Sequence, residues 1–113
     1  MKKKLFVLSM AAMVREDITY LKTKPNFKKI MEKRAEVDKV LTVYPASTYP
    51  AHTTLMTGAY PGKHGVFANF QLKTFNDGIS HWATNSSWVY AEDIFAAAKR
   101  AGCTTASVFW PIT

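Results

Sequence analysis

Residues 44–66 read YPASTYPAHTTLMTGAYPGKHGV, and the interpretation of the whole chain starts from this stretch. Ser47 and Thr48 stand just before Pro50, whose fixed backbone angle suits the first turn of a helix. The glycine that closes Ala51–Gly58 is typical of a helix end, so the pattern predicts a short helix there. A hydroxyl in front of that helix would lie near free N–H groups that favour anions. The same hydroxyl could instead serve as an ordinary helix cap.

On both sides of this stretch, apolar runs alternate with helical patterns. Three runs have the length of buried parallel strands: Leu5–Met10, Val37–Tyr44 and Cys103–Trp110. Helical patterns cover Arg15–Leu21, Pro25 to about Arg34, and Val89–Ala101, whereas residues 65–88 have no clear period. Strands separated by helices predict an α/β fold, with a parallel sheet and flanking helices.

The composition excludes several classes of protein. With 113 residues, 48% of them hydrophobic, the chain fits one globular domain rather than a disordered segment. No apolar run approaches the roughly 20 residues of a membrane-spanning helix. The single cysteine, Cys103, cannot form an internal disulfide. The start resembles a secretory signal, but a strand over Leu5–Met10 is the favoured interpretation. A cytoplasmic location is therefore expected, with export left open.

The net charge of +7 is concentrated in one part of the chain. Residues 1–39 hold 11 of the 15 basic groups, mixed with acidic ones on a predicted helix. This mixture favours a solvated helix face, and nucleic-acid binding is the minority interpretation.

The opening stretch resembles the nucleophile motif of type I phosphodiesterases/nucleotide pyrophosphatases, within the alkaline phosphatase superfamily. That family shows Pro-x-x-Thr-[Phe/Tyr]-Pro-x-His, then Thr-Gly with Tyr-Pro, then His-Gly-[Ile/Val]. The matching positions here are Pro45, Thr48, Tyr49, Pro50, His52, Thr57, Gly58, Tyr60, Pro61, His64, Gly65 and Val66. The alanine-rich helix and the closing residues also resemble bacterial members. The resemblance predicts one partial domain over residues 1–113, the amino-terminal fragment of an alkaline-phosphatase-like domain.

By this resemblance, Thr48 is the catalytic nucleophile. Two zinc ions held by Asp and His side chains would activate its oxygen, which attacks phosphorus and forms a phosphothreonine that water hydrolyses. The implied substrates are phosphodiesters or nucleotides. Some relatives carry an Asn after the motif proline as a phosphate donor. Ala51 stands there in this chain, and Asn69 is the proposed substitute for substrate binding.

The chain departs from the family where the metal ligands are concerned. Ala11 stands where the family has a metal-ligating Asp, and a methyl group coordinates nothing. The other family ligands lie downstream of the matched portion. His52 and His64 are interpreted as structural, and neither His81 nor Asp77 has zinc-site spacing. We therefore expect the chain alone to bind no zinc and to be inactive, so its status as an enzyme stays open.

A non-catalytic alternative keeps the same fold. A truncated relative could act as a binding or assembly module, self-associating through an exposed sheet edge.

Overall fold

The computed structural model describes residues 4–70 and 82–112. The chain divides into two units, Met1–Lys39 and Val40–Thr113, which are described separately. The single partial domain expected over residues 1–113 stays a prediction. Within the described residues, no helix combines the length and the apolar character needed to cross a membrane.

Residues 4–39 of the amino-terminal unit form two short helices. Helix α1 spans Arg15–Leu21, as predicted, and Asp17 Oδ2 accepts the Val14 N–H at 2.9 Å where the helix begins. Helix α2 spans Pro25–Met31, with the proline at its first position. It ends earlier than predicted, and the Arg34 guanidinium donates at 2.6 Å to the Met31 carbonyl that this end leaves free.

Exposed ion pairs connect the rest of this unit. Arg15 contacts Asp38 at 2.7 Å, and Glu36 pairs with both Lys22 and Arg34. The hydrogen bond and the charge of Arg34, followed by the charge of Lys22, hold the pKa of Glu36 below its ordinary value. No residue between 4 and 39 is buried, so these pairs lie in water, where exposed ion pairs contribute little to stability.

Three α-helices lie within the described residues of the carboxyl-terminal unit. Helix α3 spans Thr48–Thr57, α4 spans Pro61–His64 and α5 spans Ile94–Arg100, with a 3₁₀ turn at Ser86–Trp88. Helix α5 is shorter than predicted because Asp93 caps it. Its Oδ1 accepts the Ala96 N–H at 2.7 Å, which starts the helix there.

The buried residues that the structure describes in this unit lie mainly around α3 and α4. They are Pro50, Thr53, Ala59, Pro61, His64, Val66 and Ala83. Only three of them, Ala59, Val66 and Ala83, are hydrophobic residues outside the prolines, so polar contacts are an important part of what holds this unit together.

The predicted parallel sheet is wrong for the described residues, which contain no β-strand. An isolated antiparallel bridge between Phe70 and Trp82 is the one β-type pairing there. A strand exists only where a neighbouring strand supplies hydrogen-bond partners, and within residues 4–70 and 82–112 no second strand lies beside the apolar runs. Their side chains are instead exposed, by 85% at Phe6, 96% at Leu41 and 77% at Val108. Self-association through a sheet edge therefore stays a prediction.

Candidate functional site

Thr48 is the first residue of α3, and its side chain is exposed. Ser47 occupies the cap position but makes no side-chain capping bond. The Ala51 N–H donates to the Ser47 carbonyl at 3.1 Å, and Pro50 has no N–H to offer. Of the first-turn donors, the Thr48 N–H is the one that makes no hydrogen bond to a described residue. A free backbone donor and a free hydroxyl thus belong to the same exposed residue.

Asn69 is brought to this helix end from 20 residues further along the chain. Its side-chain Oδ1 accepts the Tyr49 N–H at 2.8 Å. Because a backbone N–H can only donate, the oxygen of the amide must face it, which leaves the NH₂ group as the donor half of the side chain. The two residues that the sequence analysis proposed for nucleophile and substrate binding, Thr48 and Asn69, are therefore neighbours.

His64 lies at the end of α4 and is completely buried. The Val66 N–H donates to its Nδ1 at 3.1 Å, so the ring proton must be on Nε2, which lies 3.0 Å from the Thr54 hydroxyl oxygen. Both ring nitrogens are occupied, and burial lowers the pKa of the imidazole below its ordinary value. The structural interpretation of His64 agrees with this geometry, since neither nitrogen is available to a metal.

His52 lies one turn after Thr48 on the same helix. Its Nδ1 is 2.8 Å from the Thr48 carbonyl oxygen and so acts as a donor there. The ring also packs edge-on against Trp110, with centroids 5.1 Å apart and planes at 72°. This agrees with the structural role expected for His52.

Aromatic side chains lie beside the Thr48 end of α3, and the sequence analysis missed them. The Trp82 ring lies 5.6 Å from that of Tyr49 and 4.4 Å from that of Phe70, measured between centroids. Trp82 is 52% exposed. The signal in the sequence was the aromatic character of Phe70 and Trp82 themselves, since exposed aromatic side chains gain by packing on one another.

The described residues do not fit a two-zinc site. They contain no group of three or more His, Cys, Asp or Glu side chains placed to hold a metal ion. Ala11 is exposed and offers only a methyl group. His81 and Asp77 lie outside the described residues. No step through zinc is therefore derived, and the zinc requirement implied by the resemblance stays a prediction.

Comparison with known families decides how this geometry is understood. The family model for type I phosphodiesterase / nucleotide pyrophosphatase matches residues 5–113. The chain belongs to this family. Among solved structures, none matches it.

Individual members of the phosphodiesterase family show the same relationship. Human ectonucleotide pyrophosphatase/phosphodiesterase family member 5 is 33% identical over 104 residues, which cover 88% of this chain and 22% of that protein. Bis(5'-adenosyl)-triphosphatase enpp4 of Xenopus laevis is 31% identical, covering 77% of this chain and 20% of its own length. Venom phosphodiesterase 2 of Crotalus adamanteus is also 31% identical, over 77% of this chain and 11% of that protein. The chain therefore spans about a fifth of the first two relatives.

The resemblance drawn from the motif is confirmed at the level of the family. The three relatives named are from a human, a frog and a snake, so the likeness to bacterial members stays a prediction.

Proposed function

We propose that this chain supplies the nucleophile segment of a phosphodiesterase/nucleotide pyrophosphatase, with Thr48 as the nucleophile. The observation that carries the proposal is the 2.8 Å hydrogen bond from the Tyr49 N–H to Asn69, which holds a side-chain amide beside Thr48. Membership of the family supports the same reaction class.

In the proposed reaction, the Thr48 Oγ attacks phosphorus, the bond from phosphorus to the leaving oxygen breaks, and a phosphothreonine forms. Water then attacks that phosphorus and restores the threonine. The Thr48 N–H and the Asn69 NH₂ group are the donors that would hold a non-bridging oxygen as its negative charge grows. Donors fixed before the reaction stabilise the transition state without further rearrangement.

The substrate class rests on the names of the relatives. A bis(5'-adenosyl)-triphosphatase and a venom phosphodiesterase both cleave phosphate linkages, which supports a phosphodiester or nucleotide substrate for the family segment. We also propose that the 113-residue chain alone is inactive. A threonine hydroxyl holds its proton too tightly to attack unaided, and the ring nitrogens that approach α3 are engaged as described above.

The test transfers the segment into an active relative. Residues 45–70 of this chain replace the aligned segment of venom phosphodiesterase 2, and hydrolysis of a nitrophenyl phosphodiester is measured. The graft should turn over, and Thr48→Ala in the graft should lower kcat by about a thousandfold or more, because the covalent step is lost.

Ser47→Ala is the matched control in the graft. It removes the neighbouring hydroxyl, which makes no capping bond, and should change kcat by less than about threefold. A graft that keeps its turnover with Thr48→Ala would show that Thr48 is not the nucleophile. A graft that is folded but inactive would show that this segment cannot supply one.

A further inference from the structure

The loop between α4 and Asn69 is attached to α3 at two places. His64 Nε2 meets the Thr54 hydroxyl at 3.0 Å, and Asn69 accepts the Tyr49 N–H at 2.8 Å. The loop therefore runs antiparallel to α3, from the Thr54 level back to the helix start.

The length of this loop does not by itself place Asn69. Thr54 and Tyr49 are five residues apart on a helix, a rise of about 7.5 Å. Five residues of extended chain can span about 17 Å, roughly twice that distance. A loop that is longer than the distance it spans could hold Asn69 in many positions. A fixed position for Asn69 therefore requires that the start of the loop, at His64, has a fixed position and direction.

His64 has the properties of such an anchor. Its ring is fully buried, its Nε2 bonds to α3, and its Nδ1 accepts the Val66 N–H at 3.1 Å, so the ring directs the first turn of the loop. Its own carbonyl accepts the Tyr90 N–H at 3.0 Å. The Tyr90 ring also packs directly against Gly65, whose φ of +82° suits glycine.

We infer that His64 is a positioning residue, which sets the place of Asn69 at the Thr48 end of α3 through its bond to Thr54. The functional meaning of this role rests on the proposed phosphoryl chemistry. The placement of Asn69 itself does not, so the two can be tested apart.

The test measures amide hydrogen exchange by NMR in the full chain. Thr54→Val removes the partner of His64 and should speed exchange of the Tyr49 amide about tenfold, the effect of weakening one hydrogen bond. The Ala51 and Gly58 amides of the same helix bond to backbone carbonyls and should exchange at the same rate as before. Thr54→Ser keeps a hydroxyl and should restore the Tyr49 rate.

Thr53→Val is the matched control. It is the same substitution at the adjacent position of α3, where the buried hydroxyl has no hydrogen-bond partner among the described residues. It should leave the Tyr49 amide unchanged. Equal exchange at Tyr49 in Thr54→Val and Thr53→Val would overturn the inference, and so would a uniform rise across all of α3.

A measurement on the unaltered chain covers the case in which Thr54→Val fails to fold. The ring ¹⁵N signals of His64 at neutral pH should be those of a neutral imidazole with its proton on Nε2. A proton on Nδ1 would be incompatible with the Val66 bond and would overturn the inference.

Titration with inorganic phosphate separates the two proposals. If Thr54→Val frees the Tyr49 amide and phosphate shifts the Thr48 amide less than in the unaltered chain, both stand. If the Tyr49 amide responds but phosphate never shifts the Thr48 amide, the positioning of Asn69 is upheld and support for the phosphoryl site is lost. If phosphate shifts the Thr48 amide equally in Thr54→Val and in the unaltered chain, and the exchange rate of the Tyr49 amide is the same in both, the positioning role of His64 is wrong.

Discussion

The two units of this chain hold their helices in different ways. In Met1–Lys39, charged side chains pair at the surface and no described residue is buried. In Val40–Thr113, hydrogen bonds connect side chains to positions 10 and 20 residues away around a buried imidazole. Exposed pairs compete with water and contribute little, whereas a buried polar group that loses its partner is destabilising. The second unit should therefore respond much more strongly to single substitutions.

The largest effect is expected at Gly65. Gly65→Ala would place a methyl group against the Tyr90 ring and force an L-residue into a φ of +82°. The backbone strain and the displacement of the Tyr90 ring, which is 80% exposed and can turn toward water, should together lower the free energy of unfolding by about 2 kcal/mol. All three tryptophans lie in Val40–Thr113, so urea unfolding followed by tryptophan fluorescence reports on this unit.

Gly58→Ala is the control for backbone strain alone. Gly58 also has a positive φ, +64°, but a methyl group there would meet open space. It should lower the free energy of unfolding by only about 1 kcal/mol. Adding Tyr90→Ala to Gly65→Ala should remove the part of the stability loss that exceeds the loss caused by Gly58→Ala. Equal losses of unfolding free energy in Gly65→Ala and Gly58→Ala would mean that the Tyr90 ring does not pack against Gly65.

A smaller, pH-dependent effect is expected from His64. Burial lowers its pKa in the folded chain, while the unfolded chain keeps the ordinary value of 6.5. As the pH falls below 6.5, the unfolded state takes up a proton that the folded state does not, so stability is present above that pH and is lost below it. The slope should reach at most about 1.4 kcal/mol per pH unit.

The measurement is urea unfolding between about pH 5 and pH 8, compared with His64→Asn. Asparagine can still accept the Val66 N–H but does not titrate, so the variant should lose this slope even though it is less stable throughout. Glu36 also has a lowered pKa, but its contribution is lost only as the pH falls below its ordinary value of 4.5. Identical slopes in the two proteins would exclude His64 as the source.

The smallest effect is expected in the amino-terminal unit. Arg15 and Asp38 are exposed by 67% and 77%, although their side chains approach within 2.7 Å. A double-mutant cycle with Arg15→Ala and Asp38→Ala, followed by far-ultraviolet circular dichroism, should give a coupling of less than about 1 kcal/mol. The coupling should shrink further in salt. A salt-resistant coupling above 2 kcal/mol would place this pair among buried interactions and remove the contrast between the units.

Local signals in the sequence predicted the helices well. Pro25 opened a helix as expected, Gly58 ended one and α1 has the predicted bounds, whereas α3 begins at Thr48, three residues before the predicted start at Ala51. The errors fall at helix ends that depend on particular side chains. The Arg34 bond to Met31 accompanies the early end of α2, and the Asp93 cap starts α5 late. Hydrophobic periodicity contains no information about which of several polar residues will make such a bond.

The strands could not be predicted in the same way. Apolar composition and length made Leu5–Met10 and Cys103–Trp110 resemble buried strands, but pairing requires a partner at the right distance and register. In the described residues no strand lies beside these runs, and most of their side chains are exposed.

At the candidate site, too, some features could be predicted from the sequence and others could not. Residue types and spacing were enough to select Thr48, Asn69 and the His-Gly turn, because these depend on which chemical groups occur and in what order. The sequence did not show that Asn69 reaches the Tyr49 amide, that His64 is buried between Thr54 and Val66, or that Tyr90 and Trp82 pack nearby. Apart from the Val66 bond, which is local, these contacts join residues 10 to 33 positions apart, and only the folding of the chain decides which distant groups meet.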